Sequence, residues 1–291
     1  MRSTINKAIE SSWIIVKLVI PIYILADILY YYGVLSKVAF LVEPFTSLLG
    51  LPAESAPAII SGMFLNLYAA VAFAAPLDMT AQQWSVLAIF LGVCHSLVVE
   101  NAIMKRIGIS SRYAYALRFF GGLLIAYSAT WLPENWFDSV KSASNAIEGE
   151  HYQTFMEMLL HSLENAIVLT LKIVVLISVL IAVMDGFKRL PFIQNSKQNI
   201  SKGFSILIGL FLGITYGAGI IVAESRQMRH EDLFWVGTFL MIAHAVVEDT
   251  LLFVLFGADF AIVVTIRIIW AVLFAYVLTL VWGKTFDDDI K

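Results

Sequence analysis

Long uninterrupted runs of apolar residues, each close to 20 residues, constrain this chain more than any other feature. The hydrocarbon core of a bilayer is about 30 Å thick, so one helical crossing needs about 20 apolar residues. The runs are continuous rather than alternating, which favours helices over the strands of a membrane barrel. Hydrophobic residues make up 60% of the chain and charged residues 14%, against about 45–50% and 25% in soluble domains. The sequence therefore predicts an all-α polytopic membrane protein.

The apolar runs predict about eight transmembrane helices, at residues 11–33, 56–76, 83–105, 112–132, 158–184, 203–224, 232–256 and 260–283. Residues 36–50 are too short to span comfortably and are predicted to be re-entrant or interfacial. The more polar residues 186–202 are predicted to lie at the membrane surface. The first run carries Lys17 and Asp27 and lacks a small-residue cleavage pattern. It is therefore predicted to be a spanning helix rather than a cleaved signal.

Loop charges predict the orientation and the location of the chain. Loops 105–112 and 185–202 are basic and are predicted to be cytoplasmic, whereas the acidic segment 133–157 is predicted to lie outside. The predicted location is the cell (inner) membrane, with multiple passes and a possible homo-oligomer. The net charge is -3 without a basic arm, which excludes nucleic acid as an expected partner. The sequence contains no nucleotide-binding loop and no convincing nucleophile or metalloenzyme motif, so we expect no enzyme and no primary pump.

An ordered series of similar residues recurs along the chain after nearly 150 positions. The matching pairs are Gly62 and Gly209, Tyr68 and Tyr216, His95 and His244, Glu100 and Glu248, and Arg118 and Arg267. Their offsets are 147, 148, 149, 148 and 149. The conserved order and small drift predict an internal duplication, with a first repeat at 1–133, a polar extracytoplasmic linker at 134–157 and a second repeat at 158–291. Secondary transporters often have such repeats and bind their solute where the repeats meet.

Charged side chains in the predicted spanning helices define the candidate site. Each costs at least about 2.5–3.5 kcal/mol in lipid, so it faces a partner or a cavity. His244 and Glu248 are four residues apart and share one helix face. His95 and Glu100 are five apart, which an ideal helix separates by about 140°. A local unwinding near Gly92 would bring His95 round to the carboxylate.

Two interpretations of these charges stay open. The structural one makes Arg118 and Arg267 intramembrane ion-pair partners of Glu100 and Glu248, locking neighbouring helices. The functional one makes the acidic and histidine side chains a polar centre that binds a solute, relays protons or coordinates a divalent metal. Histidine and carboxylate together suit several transition metals, although no Cys or Met cluster accompanies them. The candidates for proton relay or metal binding are His95, His244, Glu100 and Glu248.

Glycines and asparagines near two tyrosines form a second group of candidate site residues. Gly213, Gly217 and Gly219 surround Tyr216, and Asn66 lies beside Tyr68. Such segments either allow close helix packing or mark discontinuous helices whose free backbone groups line a cavity. On the second interpretation the candidate solute-binding residues are Glu100, Glu248, Asn66, Asn101, Tyr68 and Tyr216.

Residues 50–108 resemble the nucleoside-recognition, or gate, domain family. The ordered motif Gly62, Asn66-Leu67-Tyr68, His95-Ser96 and Glu100 carries the resemblance, and residues 209–259 look like a second copy. Similar domains occur in concentrative nucleoside transporters, in the membrane part of ferrous-iron transporter B and in spore maturation proteins. The resemblance implies inverted repeats, re-entrant hairpins and a central site. Eight spans, four per half, would instead make the repeats parallel, since an inverted pair needs an odd number of crossings per half.

The leading functional hypothesis is a transporter or facilitator of a small polar solute, with nucleosides among the candidates and with ions or protons for coupling. It needs no cofactor beyond a coupling cation, and its partners are the lipid bilayer and the solute or ion. The first alternative is a divalent-metal, iron-like permease, in which histidines and carboxylates converge. The second is a non-transport membrane assembly or lipid-handling factor, in which the charges are structural ion pairs and no pocket is present.

Overall fold

The computed structural model describes residues 2–34, 43–137, 154–188, 206, 209–210, 213–214, 225 and 228–282. Regular structure within these residues is entirely helical, as the sequence predicted. The helices are α1 Arg2–Tyr31, α2 Glu43–Leu48, α3 Ala56–Phe64, α4 Leu67–Ala74, α5 Ala81–Cys94, α6 Leu97–Arg106, α7 Ser111–Ala116, α8 Gly122–Ala129, α9 Phe155–Lys188, α10 His230–Ala243, α11 Val246–Val254 and α12 Phe260–Trp282. A π-helical turn, Leu117–Gly121, joins α7 to α8. Short 3₁₀ turns lie at Ala53–Ser55 and Glu134–Trp136.

Five helical stretches in the described part of the chain are long and apolar enough to cross a membrane. They are Ser12–Tyr31, Ala81–Arg106, Phe155–Val183, His230–Val254 and Phe260–Trp282. Each coincides with one of the eight predicted spans. The chain is therefore a multi-pass membrane protein.

Two of the other three predicted spans are divided into short helices, so the count of eight is not confirmed. Residues 56–76 form two short helices, α3 and α4, and residues 112–132 form α7, the π-helical turn and α8. Residues 203–224 lie mostly outside the described residues. Of the two short pieces, 36–50 contributes α2, whereas most of 186–202 lies outside the described residues. The loop orientation and the division into repeats remain predictions.

Local sequence signals start several of the helices. Thr80 and Gln83 form a capping box at the start of α5, each side chain bonding the backbone of the other. Asn66 caps α4 by accepting a hydrogen bond of 3.0 Å from the amide of Ala69. Asp259 caps α12 in the same way, and its own amide donates to the hydroxyl of Ser85 on α5 at 2.8 Å. These caps satisfy amides that membrane lipid cannot satisfy.

Two of the five spanning stretches lie at the centre of the molecule, and both are interrupted. Ala81–Arg106 breaks between α5 and α6, and His230–Val254 breaks between α10 and α11. Protein buries 72% and 78% of these two stretches, against 28%, 28% and 22% of the other three. Irregular backbone is tolerated at membrane depth only where protein covers it or water reaches it. The continuous helices α1, α9 and α12 therefore lie towards lipid and enclose the broken ones.

The broken helix α5 and the peripheral helix α12 approach most closely at Gly92. The guanidinium of Arg267 donates through Nη2 to the carbonyl oxygen of Gly92 at 2.7 Å. A Cβ atom placed on Gly92 would lie 2.6 Å from Nη1 of Arg267. The missing side chain is therefore what allows this bond between the two halves of the chain.

Replacing this glycine is expected to disturb the central packing. Gly92→Ala forces Arg267 away from its carbonyl partners, and overpacking of this kind costs about 1–3 kcal/mol. The measurement is the free energy of unfolding of the purified protein in mixed detergent micelles. Gly186→Ala is the control, because nothing lies within 4 Å of a Cβ there. Equal stability of the two variants would contradict the close contact at Gly92.

Candidate functional site

The two central helix breaks share one backbone geometry. His95 is extended, with φ -83° and ψ 161°, and the following Ser96 is left-handed, with φ 45° and ψ 37°. His244 and Ala245 repeat this, with φ -66° and ψ 152° followed by φ 44° and ψ 28°. A left-handed conformation costs a residue other than glycine about 1–2 kcal/mol. The surrounding structure must therefore hold both breaks in place, which is common at functional sites.

Backbone groups from other helices satisfy the amides at the breaks. The amide of Ser96 donates to the carbonyl of Gly62 at 3.0 Å, and that of Ala245 donates to Gly209 at 3.1 Å. The hydroxyl of Ser96 also donates to the carbonyl of Leu65 at 3.2 Å. Leu65 lies where α3 gives way to α4, so two interrupted helices meet here.

Arg118 satisfies the carbonyls exposed at the first break. Its Nε donates to the carbonyl of Val93 at 2.7 Å, and its Nη2 donates to that of His95 at 2.6 Å. The last carbonyls of a helix have no partner of their own, and the C-terminal end of a helix attracts cations. The guanidinium of Arg118 donates hydrogen bonds to these carbonyls and also places a positive charge at this helix end.

Arg267 repeats this arrangement at the second break. Its Nε donates to the carbonyl of Ile242 at 3.1 Å, and its Nη2 donates to that of His244 at 2.9 Å. Both arginines are fully buried. The sequence analysis predicted Arg118 and Arg267 as ion-pair partners of Glu100 and Glu248, and in the structure most of their hydrogen bonds go to backbone carbonyls.

A carboxylate at the start of each second half-helix faces each arginine. Oε2 of Glu100 lies 2.6 Å from Nη2 of Arg118, and Oδ2 of Asp249 lies 3.6 Å from Nη1 of Arg267. Both acidic residues are buried, in the first turns of α6 and α11. The N-terminal end of a helix attracts anions, so each carboxylate is stabilised by its helix and by its arginine.

The carboxylate that faces Arg267 is therefore that of Asp249. The sequence analysis had predicted Glu248 as the partner of Arg267. The offset of 149 that relates the histidines and the arginines also relates Glu100 to Asp249, whereas Glu248 follows Glu100 by 148. The sequence analysis also treated each pair of histidine and carboxylate as part of one unbroken helix, which is wrong. Because both helices break directly after the histidine, the angle of an unbroken helix does not describe either pair. The common offset of His and Arg was the signal that could have identified Asp249.

The breaks bring the two histidines together. Their ring centroids are 5.0 Å apart, with 35° between the ring planes. Nε2 of His95 lies 3.4 Å from Oε1 of Glu100, and Nε2 of His244 lies 3.1 Å from Oε2 of the same carboxylate. On the other side, Nδ1 of His95 lies 4.0 Å from Oδ2 of Asp249. One acidic cluster therefore joins the two halves of the chain.

A cavity of about 180 Å³ opens beside this cluster. It is lined by six of the residues singled out from sequence, Asn66, Tyr68, His95, Glu100, His244 and Glu248. Lining residues that the sequence analysis missed include Ser96, Asp249 and Ile177 of α9. Gly213, left-handed with φ +70°, also lines it.

Of the other predicted solute-binding residues, one is described away from the cavity lining and one falls outside the described residues. Asn101 is buried in α6 and is not among the residues that line the cavity. Tyr216 lies outside the described residues, as do Gly217 and Gly219. Asn66 does line the cavity, but its side-chain oxygen already accepts the capping hydrogen bond from Ala69.

The charges at the site nearly balance. Glu100 and Asp249 lie close to the guanidinium groups of Arg118 and Arg267, and a third carboxylate, Glu248, lines the adjoining cavity. With both histidines neutral, the group carries one formal negative charge. Such a site can hold a proton, a metal cation or a hydrogen-bond donor without leaving a large uncompensated charge in the membrane.

The fold defines a multi-pass membrane protein, and one part of its chain is similar to a known family. Residues 12–131 match the family model Gate, described as nucleoside recognition. The match contains His95, Glu100 and Arg118, and it confirms the resemblance in this part of the chain. It indicates a transporter-related function for nucleosides or similar solutes.

A relative from Bacillus subtilis (strain 168), the uncharacterized membrane protein YvoD, is similar along nearly its whole length. It is 27% identical to this chain, and the alignment covers 94% of this chain and 92% of the relative. No solved structure matches the chain. The similarity to YvoD therefore extends beyond the segment that the family model matches.

Removing the guanidinium at the first break is expected to destabilise the protein. In Arg118→Met the carbonyls of Val93 and His95 lose their donors and Glu100 loses its cation, and breaking a buried pair costs about 3–5 kcal/mol. The free energy of unfolding in mixed micelles measures this change. The matched control is Arg112→Met, because Arg112 is exposed on the same helical segment. A stability loss no larger than that of the control would rule out the structural role of Arg118.

Proposed function

We propose that this protein is a secondary transporter or facilitator of a small polar solute in the cell membrane, with its binding site in the cavity between the two broken helices. The observation that carries the proposal is the position of this cavity. It lies beside breaks at His95 and His244, where protein covers the irregular backbone. Discontinuous helices with ionisable groups inside the membrane are the way in which many secondary transporters hold their solutes.

We also propose that the segments 1–133 and 158–291 are repeats. Matched breaks, matched arginine contacts and the offset of 149 residues support this relationship. The inverted orientation follows from the family resemblance and stays a prediction. On this proposal the site lies at the interface of the repeats, and each repeat contributes one histidine and one buried carboxylate.

The chemistry of the cavity favours a small solute with several hydrogen-bond donors. Its volume of about 180 Å³ is below the 300–1,000 Å³, roughly, of pockets for drug-sized ligands. Carboxylates of Glu100, Glu248 and Asp249 accept hydrogen bonds from hydroxyl or amine groups, and Ser96 and Tyr68 add hydroxyls. Nucleosides and smaller polar metabolites fit this description. A proton or a cation near the histidines would couple the transport.

A divalent-metal permease is the second candidate. One ligand atom from each of His95, His244 and Asp249 lies within 4.8 Å of the others, which is the observation that favours it. Uptake of radioactive Mn²⁺ or Fe²⁺ by proteoliposomes would separate it from solute transport. The third hypothesis, a non-transport membrane factor, required ion pairs without a pocket. The presence of the cavity argues against it.

The proposed transport is expected to depend on Glu248, which lines the cavity without being one of the two carboxylates that face the arginines. Glu248→Gln should lower uptake at least about 10-fold, because one charged acceptor for the solute is lost. The assay is uptake of tritiated uridine and adenosine by proteoliposomes under an inward proton or sodium gradient. A thermal-shift screen of nucleosides, nucleobases and small metabolites on the purified protein would identify other cargo first.

The control is Glu157→Gln, since Glu157 is exposed at the start of α9. It should transport like the wild-type protein. The thermal unfolding midpoint of both variants should stay within a few degrees of the wild-type value. Normal uptake by a folded Glu248→Gln variant would contradict the assignment of the cavity as the solute site.

A further inference from the structure

We propose that His95, His244 and Glu100 form a binding site for one divalent transition-metal ion, with both imidazoles coordinating through Nε2. The proposal deepens the proposed function, because it names an ion bound in the same cavity. It is nevertheless testable without any transport measurement. Four observations support it: the tautomers of the histidines, the spacing of the ligand atoms, the unpartnered buried atoms and the surrounding charges.

The backbone fixes the tautomer of both histidines. Nδ1 of His95 lies 2.9 Å from the carbonyl oxygen of Leu91, and Nδ1 of His244 lies 2.8 Å from that of Leu240. A carbonyl oxygen only accepts, so each Nδ1 carries a hydrogen and donates it. The neutral ring then presents a lone pair at Nε2. Metal-binding histidines in proteins are oriented in this way, with the other ring nitrogen donating to a carbonyl or carboxylate.

Both lone pairs face one carboxylate. Nε2 of His95 and Nε2 of His244 lie 3.4 Å and 3.1 Å from the two oxygens of Glu100. With both rings neutral in this tautomer, acceptors face acceptors across both contacts, and a cation between them, either a proton or a metal ion, relieves that repulsion. Ligands about 2.0–2.1 Å from a tetrahedral zinc ion are about 3.3 Å from one another. The observed separations match the spacing of ligands around one such ion.

Buried polar atoms without hydrogen bonds mark the same place. Nε2 of His244 and Oδ2 of Asp249 are buried and make no hydrogen bond within the described residues, although Oδ2 lies 3.6 Å from Nη1 of Arg267. The side chain of His244 is 1% exposed. An unsatisfied buried polar atom destabilises the folded protein, and a bound ion would offset that cost. One ligand atom from each of Asp249, His95 and His244 lies within 4.8 Å of the others, so this carboxylate is near the proposed site.

The charges around the histidines tolerate one divalent ion. Glu100 faces them from α6 and Asp249 from α11, and Glu248 lines the adjoining cavity. The guanidinium groups of Arg118 and Arg267 contact the carboxylates of Glu100 and Asp249. The group carries one formal negative charge, so a divalent ion leaves one positive charge. Arg118 holds Glu100 in place, as outer-shell groups hold metal-bound carboxylates.

The ligand set indicates which ions would bind. Two imidazole nitrogens and carboxylate oxygens favour Zn²⁺, Fe²⁺, Co²⁺, Ni²⁺ or Mn²⁺. Ca²⁺ and Mg²⁺ prefer sites made only of oxygen, so they should bind poorly. This selectivity separates the proposed site from a cluster of acidic residues that attracts any cation.

The test is equilibrium binding of Co²⁺ and Zn²⁺ to the purified full-length protein after treatment with a chelator. We expect one ion per chain, with visible absorption of the bound Co²⁺ that reports nitrogen ligands and low coordination number. The double variant His95→Gln, His244→Gln should weaken binding about 100-fold or more. His161→Gln is the control, because His161 is exposed on α9. It should bind like the wild-type protein.

Two results would overturn the proposal. One is wild-type protein that binds less than one Co²⁺ or Zn²⁺ per chain at micromolar free metal. The other is equal binding by the wild-type protein and the double variant. Glu100→Gln, which keeps both histidines, is the second variant and should weaken binding by about 10-fold or more. If metal binding fails while Glu248→Gln still abolishes uptake, the metal site is wrong and the transport function stands.

Discussion

The interaction on which the rest of the structure depends is the contact between a buried guanidinium and the open end of a broken helix. Each break exposes carbonyl groups that lipid cannot satisfy. Arg118 and Arg267 supply the missing donors, and the carboxylates of Glu100 and Asp249 neutralise the arginines from the following half-helices. Each of these four charged groups therefore lies near a helix end whose partial charge has the opposite sign. The two irregular segments can exist inside the membrane only because these groups occur together.

The same arrangement creates the site. Helix α5 ends at Cys94, and α10 ends at Ala243. A histidine in extended conformation follows each of these ends, and the two imidazole rings lie side by side. A continuous helix would use its backbone polar groups internally and leave no room for a cavity. The breaks require buried charge for stability, and those charged side chains lie beside the cavity of about 180 Å³. The continuous helices α1, α9 and α12 provide the lipid-facing surface.

The structural and functional interpretations of the intramembrane charges are therefore compatible. The arginines bond to backbone and lie behind the carboxylates, whereas the histidines and Glu248 line the cavity. A stabilising ion pair and a binding site share Glu100, which touches Arg118 on one side and both histidines on the other. Changes at Glu100 consequently alter stability and binding together, and Glu248 separates the two effects better.

The sequence by itself determined the helical membrane class and five of the spans, because hydrophobic length is a local property. It also identified several of the residues that line the cavity, because a charge in lipid is costly wherever it occurs. His95, His244, Glu100, Arg118 and Arg267 were identifiable from that cost and from their spacing. Tertiary structure alone decided where the helices break. A break depends on donors from distant residues, such as Arg118 for Val93 and Gly62 for Ser96. For that reason the spacing of an unbroken helix favoured Glu248 as the partner of Arg267. In the structure the carboxylate nearest to this guanidinium is that of Asp249.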